Sequence, residues 1–585
     1  MAGKPNVGFY AVVGLVVAGL IGFAVYQAGI FGPKLIKPPH QQPIDPNKLT
    51  GGKTKPKEGA NPQAEEHSDE GITTVKEVTW KPSERLPEVK GTAGYDELTD
   101  NTVRFALNVW AGWAPIIYAN NGFKPEKVWK TQDGKEFKVE LVLIDNPIQM
   151  RDVYARGQVH IGWATLDMLP LFVDGFVDTA GKPKDSRIMP RVFQQIDWSS
   201  GGDGIVVRDH ITNVAALKGK TVTLAQNSPS QYYLTSLLLS AGLKPSDVKT
   251  KYTEDAFMAA AAFVSDKSVD ACVTWAPDIY TIPEKVKKTR ILSSTKEANK
   301  LIADVYAIRA DFVRDHPDIV EGLVAGIFEG MDMVKKDPAQ PCAWLADAFT
   351  FKPEEVLGMQ GDFQTTNFAD NVQFFLNASN PTNFERTWKN AGIVYRTLGS
   401  INTSVEFDKV MDFSFVQALQ KKGTFASHQE VKTTFAPVTY KQIQAEAPIL
   451  TQTIRINFYP NSSNPFEPAR DELGSVVSGK FYDPNAKATL EQVARLAGQF
   501  DRATILIEGH TDSSMKGKVP LQAVKDLSLA RAQSIKQALI RDFKFDENKF
   551  AIEGKGWERP FDENENNNHV QNRRVEISVY SPEQK

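Results

Sequence analysis

Between about residues 101 and 425, short apolar segments with strand character alternate with longer segments of helical periodicity. The strand segments are Val103–Trp110, Val139–Ile144, Ile205–Val207, Thr221–Leu224 and Ala271–Trp275, and the helical ones are Gln231–Ala241, Glu254–Ser265 and Pro317–Lys335. Strands that alternate with helices are typical of parallel sheets joined by crossover helices. The sequence therefore predicts an α/β fold with a parallel sheet for this region.

The length and charge of the chain limit its organisation and its partners. With 585 residues it is long enough for several domains. Its formal net charge of −3 leaves no excess of basic residues to neutralise phosphate groups. We therefore expect several domains and no nucleic-acid partner.

The first 31 residues carry one long apolar run, Val7–Phe31, with no charged residue between Lys4 and Lys34. Such a run can cross a hydrocarbon core of about 30 Å as a helix. The alternative is a cleaved signal peptide, but the apolar run is long for one, and its small-residue site at Gly22–Ala24 lies inside the run. We expect residues 1–31 to form an uncleaved transmembrane anchor.

Two segments have the composition of linkers. Residues 32–99 are punctuated by proline, with lysine, glycine and glutamate between, and hold too few apolar residues to bury a core. The sequence predicts a flexible tether there and a shorter linker at 431–452, which leaves folded domains at 100–430 and 453–585.

The C-terminal region mixes strands and helices in a small unit. Strands are predicted at 454–459, 503–508, 550–556 and 574–579, and helices at 490–500 and 527–541. This order predicts a compact α+β domain.

Four blocks of this region occur together in one order. They are Ile505–Asp512 (ILIEGHTD), Leu527–Ala532, Gly554–Gly556 and Asn572–Ile577. Together they resemble the OmpA-like peptidoglycan-binding domain. The resemblance implies that peptidoglycan is a partner, and that the bulk of the chain lies in the periplasm of a Gram-negative bacterium. With the apolar run, it implies single-pass attachment to the inner membrane.

The same resemblance implies that the domain binds the diaminopimelate stem peptide. By motif position, Asp512 would bind the ligand's ammonium group and Arg531 its carboxylate, with Thr511 and Arg574 in the same site. A carboxylate accepts only, and a guanidinium donates in a planar fork, so the pair suits a zwitterion. Asp512 could instead be a turn residue, Arg531 a surface residue and Arg574 a structural anchor.

The chain departs from the family pattern between Asp512 and Leu527. This segment is several residues longer than usual and carries Lys516, Lys518 and Pro520. Val524 stands where the family usually has asparagine. We expect an altered loop over the wall ligand.

The middle region contains a second set of ordered blocks. They are Trp113–Pro115, Val159–Thr165, Asp197–Val207, Leu217–Val222, Asn227–Ser230, Val269–Pro277 and Ala310–Phe312. Together they resemble periplasmic solute-binding proteins of the nitrate, sulfonate and taurine type, a family that includes thiamine-precursor binders. The resemblance implies two lobes with a solute between them. It places the crossing strands near 204–208 and 304–309 and the second lobe at about 206–304.

Two polar loops are candidate solute contacts. Asn227–Ser230 follows a strand and opens a helix, whose N-terminus and hydroxyls, at Ser228 and Ser230, suit an oxyanion. Plain N-capping by serine is the alternative. Ser199 and Asp203 flank small residues before the inferred hinge, where a backbone can approach a ligand closely or simply turn.

Aromatic and acidic side chains leave the solute's charge open. Trp113, Trp163 and Trp275 stand at strand ends and are candidates for the cleft wall, as are Trp110 and Trp198, with core packing as the alternative. Asp167, Asp203 and Asp278 would suit an amine-bearing solute if they point inward, whereas the serine loop suits an anion.

No catalytic group, metal site or cofactor is expected. The eight histidines show no metal-ligand spacing, and Gly219–Thr221 lacks the first glycine of a phosphate loop and leads into a strand. An enzyme of this fold would need His160 or Cys272 in the cleft, and both residues have core contexts. We expect Cys272 and Cys342 to be buried free thiols.

Two functions remain. The first is a tethered solute-binding protein that serves an ABC-type permease and docks on the cell wall. The second is a structural envelope anchor whose middle domain is a spacer or a protein-docking module.

Overall fold

The computed structural model describes residues 71–349, 351–443, 446–459, 461–561 and 569–581. The expected anchor at 1–31 and the linker up to residue 70 lie outside these residues. Within the described ranges, no helix has both the length and the apolar character needed to cross a membrane.

The described strands are numbered along the chain as β1 (Trp80–Lys81), β2 (Thr102–Leu107), β3 (Val128–Lys130), β4 (Glu136–Leu143), β5 (Ile161–Thr165), β6 (Pro190–Ser199), β7 (Asp203–Arg208), β8 (Thr221–Ala225), β9 (Lys249–Thr253), β10 (Ala271–Trp275), β11 (Thr289–Ser294), β12 (Ala303–Arg309), β13 (Phe363–Thr365), β14 (Leu450–Ile454), β15 (Pro468–Arg470), β16 (Val476–Phe481), β17 (Thr504–His510), β18 (Phe550–Gly556) and β19 (Val575–Tyr580).

The α-helices of the described residues are Ala114–Ala119, Pro147–Ala155, Leu169–Phe176, Pro229–Ser240, Ala256–Ser265, Asp278–Lys285, Ala310–Asp315, Pro317–Lys336, Ala339–Phe349, Pro353–Gly358, Phe368–Leu376, Phe384–Thr397, Ser414–Lys422, Tyr440–Ile443, Ala486–Gln499, Leu521–Phe543 and His569–Asn572.

Two sheets form two lobes in the middle region. The first lobe contains a seven-stranded sheet in the order β13-β6-β12-β5-β2-β4-β3, and the second contains a six-stranded sheet in the order β1-β9-β8-β10-β7-β11. β2 pairs in parallel with β4 and β5, and β8 with β9 and β10, whereas β7 and β12 pair antiparallel with their neighbours. The α/β class is therefore confirmed, but the sheets are mixed rather than wholly parallel.

The antiparallel strands are the ones that join the lobes. The chain passes from β6 to β7 through residues 200–202 and returns from β11 to β12 through residues 295–302. The hydroxyl of Thr295 accepts hydrogen bonds from the backbone N–H groups of Gly201 (2.9 Å) and Asp203 (3.1 Å). Thr295 thus holds the two crossings together at the hinge.

Residues 71–99 correct the expected tether, because in the structure they pack against both lobes. We call residues 71–95 the strap. In the second lobe, Asp278 accepts hydrogen bonds from the backbone N–H (2.8 Å) and the hydroxyl (2.7 Å) of Thr74, and β1 pairs with β9. In the first lobe, the buried Arg151 donates a hydrogen bond to the carbonyl of Pro87, and the buried Arg309 donates one to the carbonyl of Ala93. The strap therefore crosses from one lobe to the other.

The C-terminal region contains a four-stranded sheet in the order β14-β19-β17-β18, two long helices and the hairpin β15–β16. The strand expected at 454–459 is wrong, since β14 ends at Ile454. The helix expected from Leu527 begins at Leu521, so part of the expected loop is helical. Val524 is buried on that helix and contacts the position where Gly556 lacks a side chain.

The motif glycines let this long helix lie directly on the sheet. A Cβ on Gly509 would fall 2.1 Å from the carbonyl oxygen of Ser528, and one on Gly554 would fall 2.4 Å from that of Lys525. Any side chain at either position would push the helix away from β17 and β18. The two glycines therefore set the helix–sheet spacing of the domain.

The C-terminal domain contacts the middle domain beside the hinge. The backbone N–H of Lys300 donates to the carbonyl of Gln499 (3.1 Å), and that of Arg502 donates to the side chain of Asn299 (3.1 Å). Lys300 also pairs with Asp501 at 3.5 Å. The return crossing of the hinge is thus held by the C-terminal domain.

Candidate functional site

A cavity of about 810 Å³ lies between the two lobes. Such a volume falls within the range of small-molecule sites. Its wall includes Asp145 and Trp163 from the first lobe, Trp275 from the second and residues 75–77 of the strap. The cavity therefore has contributions from both lobes and from the segment that crosses them.

Tryptophans form part of the cavity wall. Trp163 lines it while its indole N–H donates to the carbonyl of Ile144 (2.9 Å), and Trp110 lines it while its N–H donates to Asp197 (3.1 Å). Trp275 packs edge-on against Phe257 at 5.4 Å between ring centroids. The partners of Trp110 and Trp163 lie outside the cavity, whereas Phe257, the partner of Trp275, is itself on the wall.

Trp113 is a correction to the expected wall. It is fully buried, stacks on Tyr306 at 5.2 Å between centroids and donates its indole N–H to Asn108 (2.7 Å). The chain turns into a helix at Ala114, which carries this side chain into the core. Trp110, three residues earlier, occupies the wall instead.

Asp203 lies at the inner end of the cavity, at the start of β7. The Ser199 hydroxyl donates to it (2.7 Å), so Ser199 orients Asp203 and does not itself line the cavity. Burial raises the pKa of Asp203 to about 6, the Ser199 bond opposes the rise, and the charge of Asp362 adds to it. Asp362, also on the wall, is held by the hydroxyl of Tyr280 at 2.7 Å.

Further carboxyl groups lie around Asp203. Asp304 lines the cavity, and its carboxyl group is hydrogen bonded to that of the fully buried Asp197. Two carboxyl groups can form such a bond only when one of them keeps its proton. Burial raises the pKa of Asp197 to about 7 and raises that of Asp304 well above its usual range. Burial also raises the pKa of Asp167 to about 7. Asp203 and Asp304 on the wall, with Asp197 and Asp167 buried behind it, therefore form a group of partly protonated acids.

Two more carboxylates face each other across the cleft. Asp145 follows β4 in the first lobe and accepts from the backbone N–H of Val109 (2.9 Å). Asp255 caps the helix Ala256–Ser265 in the second lobe and accepts from the N–H of Met258 (2.8 Å). Burial chiefly raises the pKa of Asp145, and the charge of Asp255 adds to the rise.

The loop Asn227–Ser230 contributes one serine to the cavity wall and one to the protein interior. Ser228 lines the cavity and its hydroxyl donates to the carbonyl of Ala225 (2.8 Å). Ser230 is 1% exposed and lies behind the wall, because it is in the first turn of the helix Pro229–Ser240. Asp278 is likewise absent from the wall, since its carboxylate binds Thr74 of the strap.

The charges around the cavity are strongly unequal. Among the described residues that line it, Lys76 is basic, and the acidic ones are Glu77, Asp145, Asp203, Glu254, Asp255, Asp304 and Asp362. Of these, Glu254 is paired with Lys81. The buried hydroxyl of Thr165 also lines the cavity without a hydrogen-bond partner among the described residues. This environment favours a positively charged group and disfavours an anion.

The two residues that an enzyme would need are structural. His160 accepts from the backbone N–H of Arg104 (2.9 Å) and its other ring nitrogen contacts the carbonyl of Asp96 (3.0 Å). Burial lowers the pKa of His160 to about 3. Cys272 is fully buried in β10, where burial raises the pKa of its thiol, and Cys342 is buried in the helix Ala339–Phe349.

In the C-terminal domain, Asp512 and Arg531 lie near one another. Asp512 accepts from the backbone N–H of Ser514 (2.8 Å) and pairs with Arg573 (3.3 Å). Arg531 donates to the carbonyl of Ser462 (3.0 Å) and lies over the ring of Phe458. Burial lowers the pKa of Arg531, Arg573 lowers it further, and the nearby Asp512 opposes both effects.

The other two expected wall-ligand residues differ in environment. Thr511 adjoins Asp512, and its hydroxyl has no hydrogen-bond partner among the described residues. Arg574 is 4% exposed, pairs with Glu576 at 2.7 Å and donates to the carbonyl of Arg559 (3.2 Å). These contacts give Arg574 a structural anchor role.

The fold and the cavity define a two-lobed solute-binding domain joined to an α+β domain. Residues 203–341 match the NMT1/THI5 like family model, and residues 478–574 match the OmpA family model. The two resemblances drawn from the sequence are therefore confirmed, and the chain combines a domain of each type.

Individual relatives match parts of the chain. Outer membrane protein Omp38 of Acinetobacter baumannii is 31% identical over 131 residues, which are 20% of this chain and 36% of that protein, so the chain spans about a third of this relative's length. The taurine-binding periplasmic protein of Escherichia coli is 24% identical over 246 residues, 42% of this chain and 68% of that protein.

Solved structures similar to part of the chain include two bacterial binding proteins. The periplasmic aliphatic sulphonate binding protein SsuA of Escherichia coli is 17% identical, covers 53% of this chain and 92% of its own, and has a TM-score of 0.42. The periplasmic nitrate-binding protein NrtA of Synechocystis is 16% identical, covers 56% and 90%, and has a TM-score of 0.41.

Proposed function

We propose that the chain is a periplasmic solute-binding protein that takes a small amine-bearing solute between its lobes. The observation that carries this proposal is the excess of acidic over basic side chains around the cavity. An ammonium group there would be attracted by the ionised Asp203 and could donate to the oxygen atoms of Asp304, whereas a sulfonate would be repelled by the charge of Asp203. The solute is therefore opposite in charge to those in the names of the sulphonate and nitrate binders.

The tryptophans support the same solute. Trp110, Trp163 and Trp275 line the cavity. A cation gains from the face of an aromatic ring, and the solute's carbon skeleton gains from leaving water. A spacer domain has no need of such a cavity, so the structural-anchor alternative receives less support.

The C-terminal domain would hold the protein on peptidoglycan. Asp512 and Arg531 are close together and each is about nine-tenths buried, as expected for a pair that binds a zwitterionic peptide end. Attachment of the N-terminal apolar run to the inner membrane, and delivery of the solute to an ABC-type permease, complete the proposal.

Calorimetry on the full chain tests the solute proposal. A panel of primary amines and matched alkanesulfonates is titrated into the protein and into Asp203→Asn. Amines are expected to bind the parent protein at least about tenfold more tightly than the variant. Binding of sulfonates but not of amines would contradict the proposed solute.

Pelleting with purified sacculi tests the wall proposal. Asp512→Asn and Arg531→Gln are expected to leave the protein in the supernatant, because each removes one half of the charged pair. Arg541→Gln, on the exposed side of the same helix, is the matched control and should pellet with the parent protein. Pelleting of both site variants at the parent level would refute this assignment.

A further inference from the structure

The acidic residues of the cavity fall into two separate groups. We call Asp203, Asp304 and Asp362 the inner pole, and Asp145 with Asp255 the outer pole. Within the inner pole, burial raises the pKa values of Asp203 and Asp304. The charge of Asp362 adds to the rise at Asp203, and the charge of Asp203 adds to the rise at Asp304. The charge that acts on Asp145 comes from Asp255. The two poles are thus distinct sites of negative charge in one cavity.

The strand order of the seven-stranded sheet gives the backbone distance between the two poles. Asp304 lies at the start of β12 opposite Thr165, the last residue of β5, and Asp145 lies just beyond the end of β4. β12 and β4 are three strand spacings apart in the sheet order. At about 4.8 Å for each spacing, the backbone positions of Asp304 and Asp145 are about 14 Å apart along one edge.

Other observations identify the poles as ligand contacts. The cavity is continuous between them and is lined by Trp110 and Trp163. The hydroxyl of Thr165, 7% exposed, lines the same cavity and lacks a partner among the described residues. No three acidic, histidine or cysteine side chains of the described residues come close enough to hold one metal ion. A single metal ion therefore does not account for the arrangement.

We infer that the cavity takes an elongated organic dication, with one cationic nitrogen at each pole and an apolar skeleton between them. This inference rests on the proposed function and names its solute class. With the carboxylates taken to be as far apart as their backbones, two charge-assisted hydrogen bonds of about 2.8 Å leave roughly 8 Å between the two nitrogens. Linear diamines of about six carbons meet this requirement.

The outer pole also gives the dication a role in closure. Asp145 belongs to the first lobe and Asp255 to the second, so closing the cleft brings two like charges together. A cationic nitrogen between them turns this repulsion into attraction for both lobes. A monoamine held at the inner pole leaves the repulsion in place.

The test compares hexamethylenediamine with hexylamine by calorimetry on the full chain. The two probes share a skeleton and differ in the second charge. The affinity for the diamine is expected to be at least about tenfold higher than that for the monoamine. Butane and octane diamines bracket the expected length, and both should bind more weakly than the six-carbon one.

Variants separate the poles. Asp145→Asn and Asp255→Asn keep the shape and the backbone hydrogen bonds, and asparagine remains a good helix cap. Each of these two variants should lower the affinity for hexamethylenediamine about tenfold and change the affinity for hexylamine less than twofold. Asp203→Asn should lower the affinity for both probes. Asp209→Asn, which removes an exposed charge from the second lobe, should change neither affinity.

The outcomes distinguish this inference from the proposed function. Equal affinity for diamine and monoamine, or equal losses of both in the outer-pole variants, would overturn the dication and leave amine binding intact. Binding of none of these amines would overturn both.

Discussion

Burial of Asp203 costs the folded protein electrostatic free energy, and Asp203→Asn should remove this cost. The pKa of Asp203 is raised from 3.8 to about 6, chiefly by burial. Each pH unit between these values corresponds to about 1.4 kcal/mol. Holding this carboxylate ionised therefore costs the folded protein about 3 kcal/mol at pH 7. Asparagine has nearly the same shape and can still accept the hydrogen bond from Ser199.

The sign of the effect depends on pH. A carboxyl group with a raised pKa in the folded state binds a proton more tightly there than in the unfolded chain, so stability falls as pH rises from about 4 to about 6. Asp203→Asn should thus increase the free energy of unfolding by up to about 3 kcal/mol at pH 7 and by much less at about pH 4. The same variant should lose amine binding.

Urea denaturation followed by tryptophan fluorescence measures this change. Nine of the ten tryptophans lie between residues 80 and 388, so the signal reports the middle domain. Asp209→Asn, at an exposed position of the same lobe, should change stability by less than about 0.5 kcal/mol. A variant at Asp203 that is no more stable than the parent at pH 7 would refute the reasoning.

Other predictions follow from the same contacts. The affinity for hexamethylenediamine should rise between about pH 5 and 7.5, because Asp167, Asp197 and Asp203 lose protons there and have pKa values of about 6 to 7. An affinity that falls over this range, measured by calorimetry, would count against an acidic site. Thr74→Val removes a donor to the buried Asp278 and should cost about 1 to 2 kcal/mol, with faster amide exchange in residues 71–77; unchanged exchange would mean that this contact does not hold the strap. Gly509→Ala forces the long helix off β17 and should destabilise the C-terminal domain by about 1 to 3 kcal/mol and abolish pelleting with sacculi, whereas amine binding should persist.

Local patterns predicted several elements well. β10 and β18 have the bounds expected from the sequence, because an apolar strand between polar turns is a strong local signal. The ordered motifs around Asp512 and Asp203 also led to the two domain types. The prediction failed for the strand at 454–459, where the pairing of β14 with β19 ends at Ile454.

Contacts between distant residues explain what the sequence could not provide. The sequence predicts a proline-rich tether at 32–99, but the backbone carbonyls of the strap accept hydrogen bonds from Arg151 and Arg309, which lie far along the chain. Asp145 and Asp255 were not predicted because each has an ordinary local role, and only the fold brings them together. The signal that could have found Asp145 is its position just after a strand of a parallel pair.

The chemical identity of the natural solute tests the central claim most directly. Mass spectrometry of small molecules released from the full chain, purified from its own periplasm, would measure it. An elongated organic dication in near-stoichiometric amount, lost in Asp203→Asn, is the expected result. A sulfonate or another anion, retained by that variant, would contradict the account.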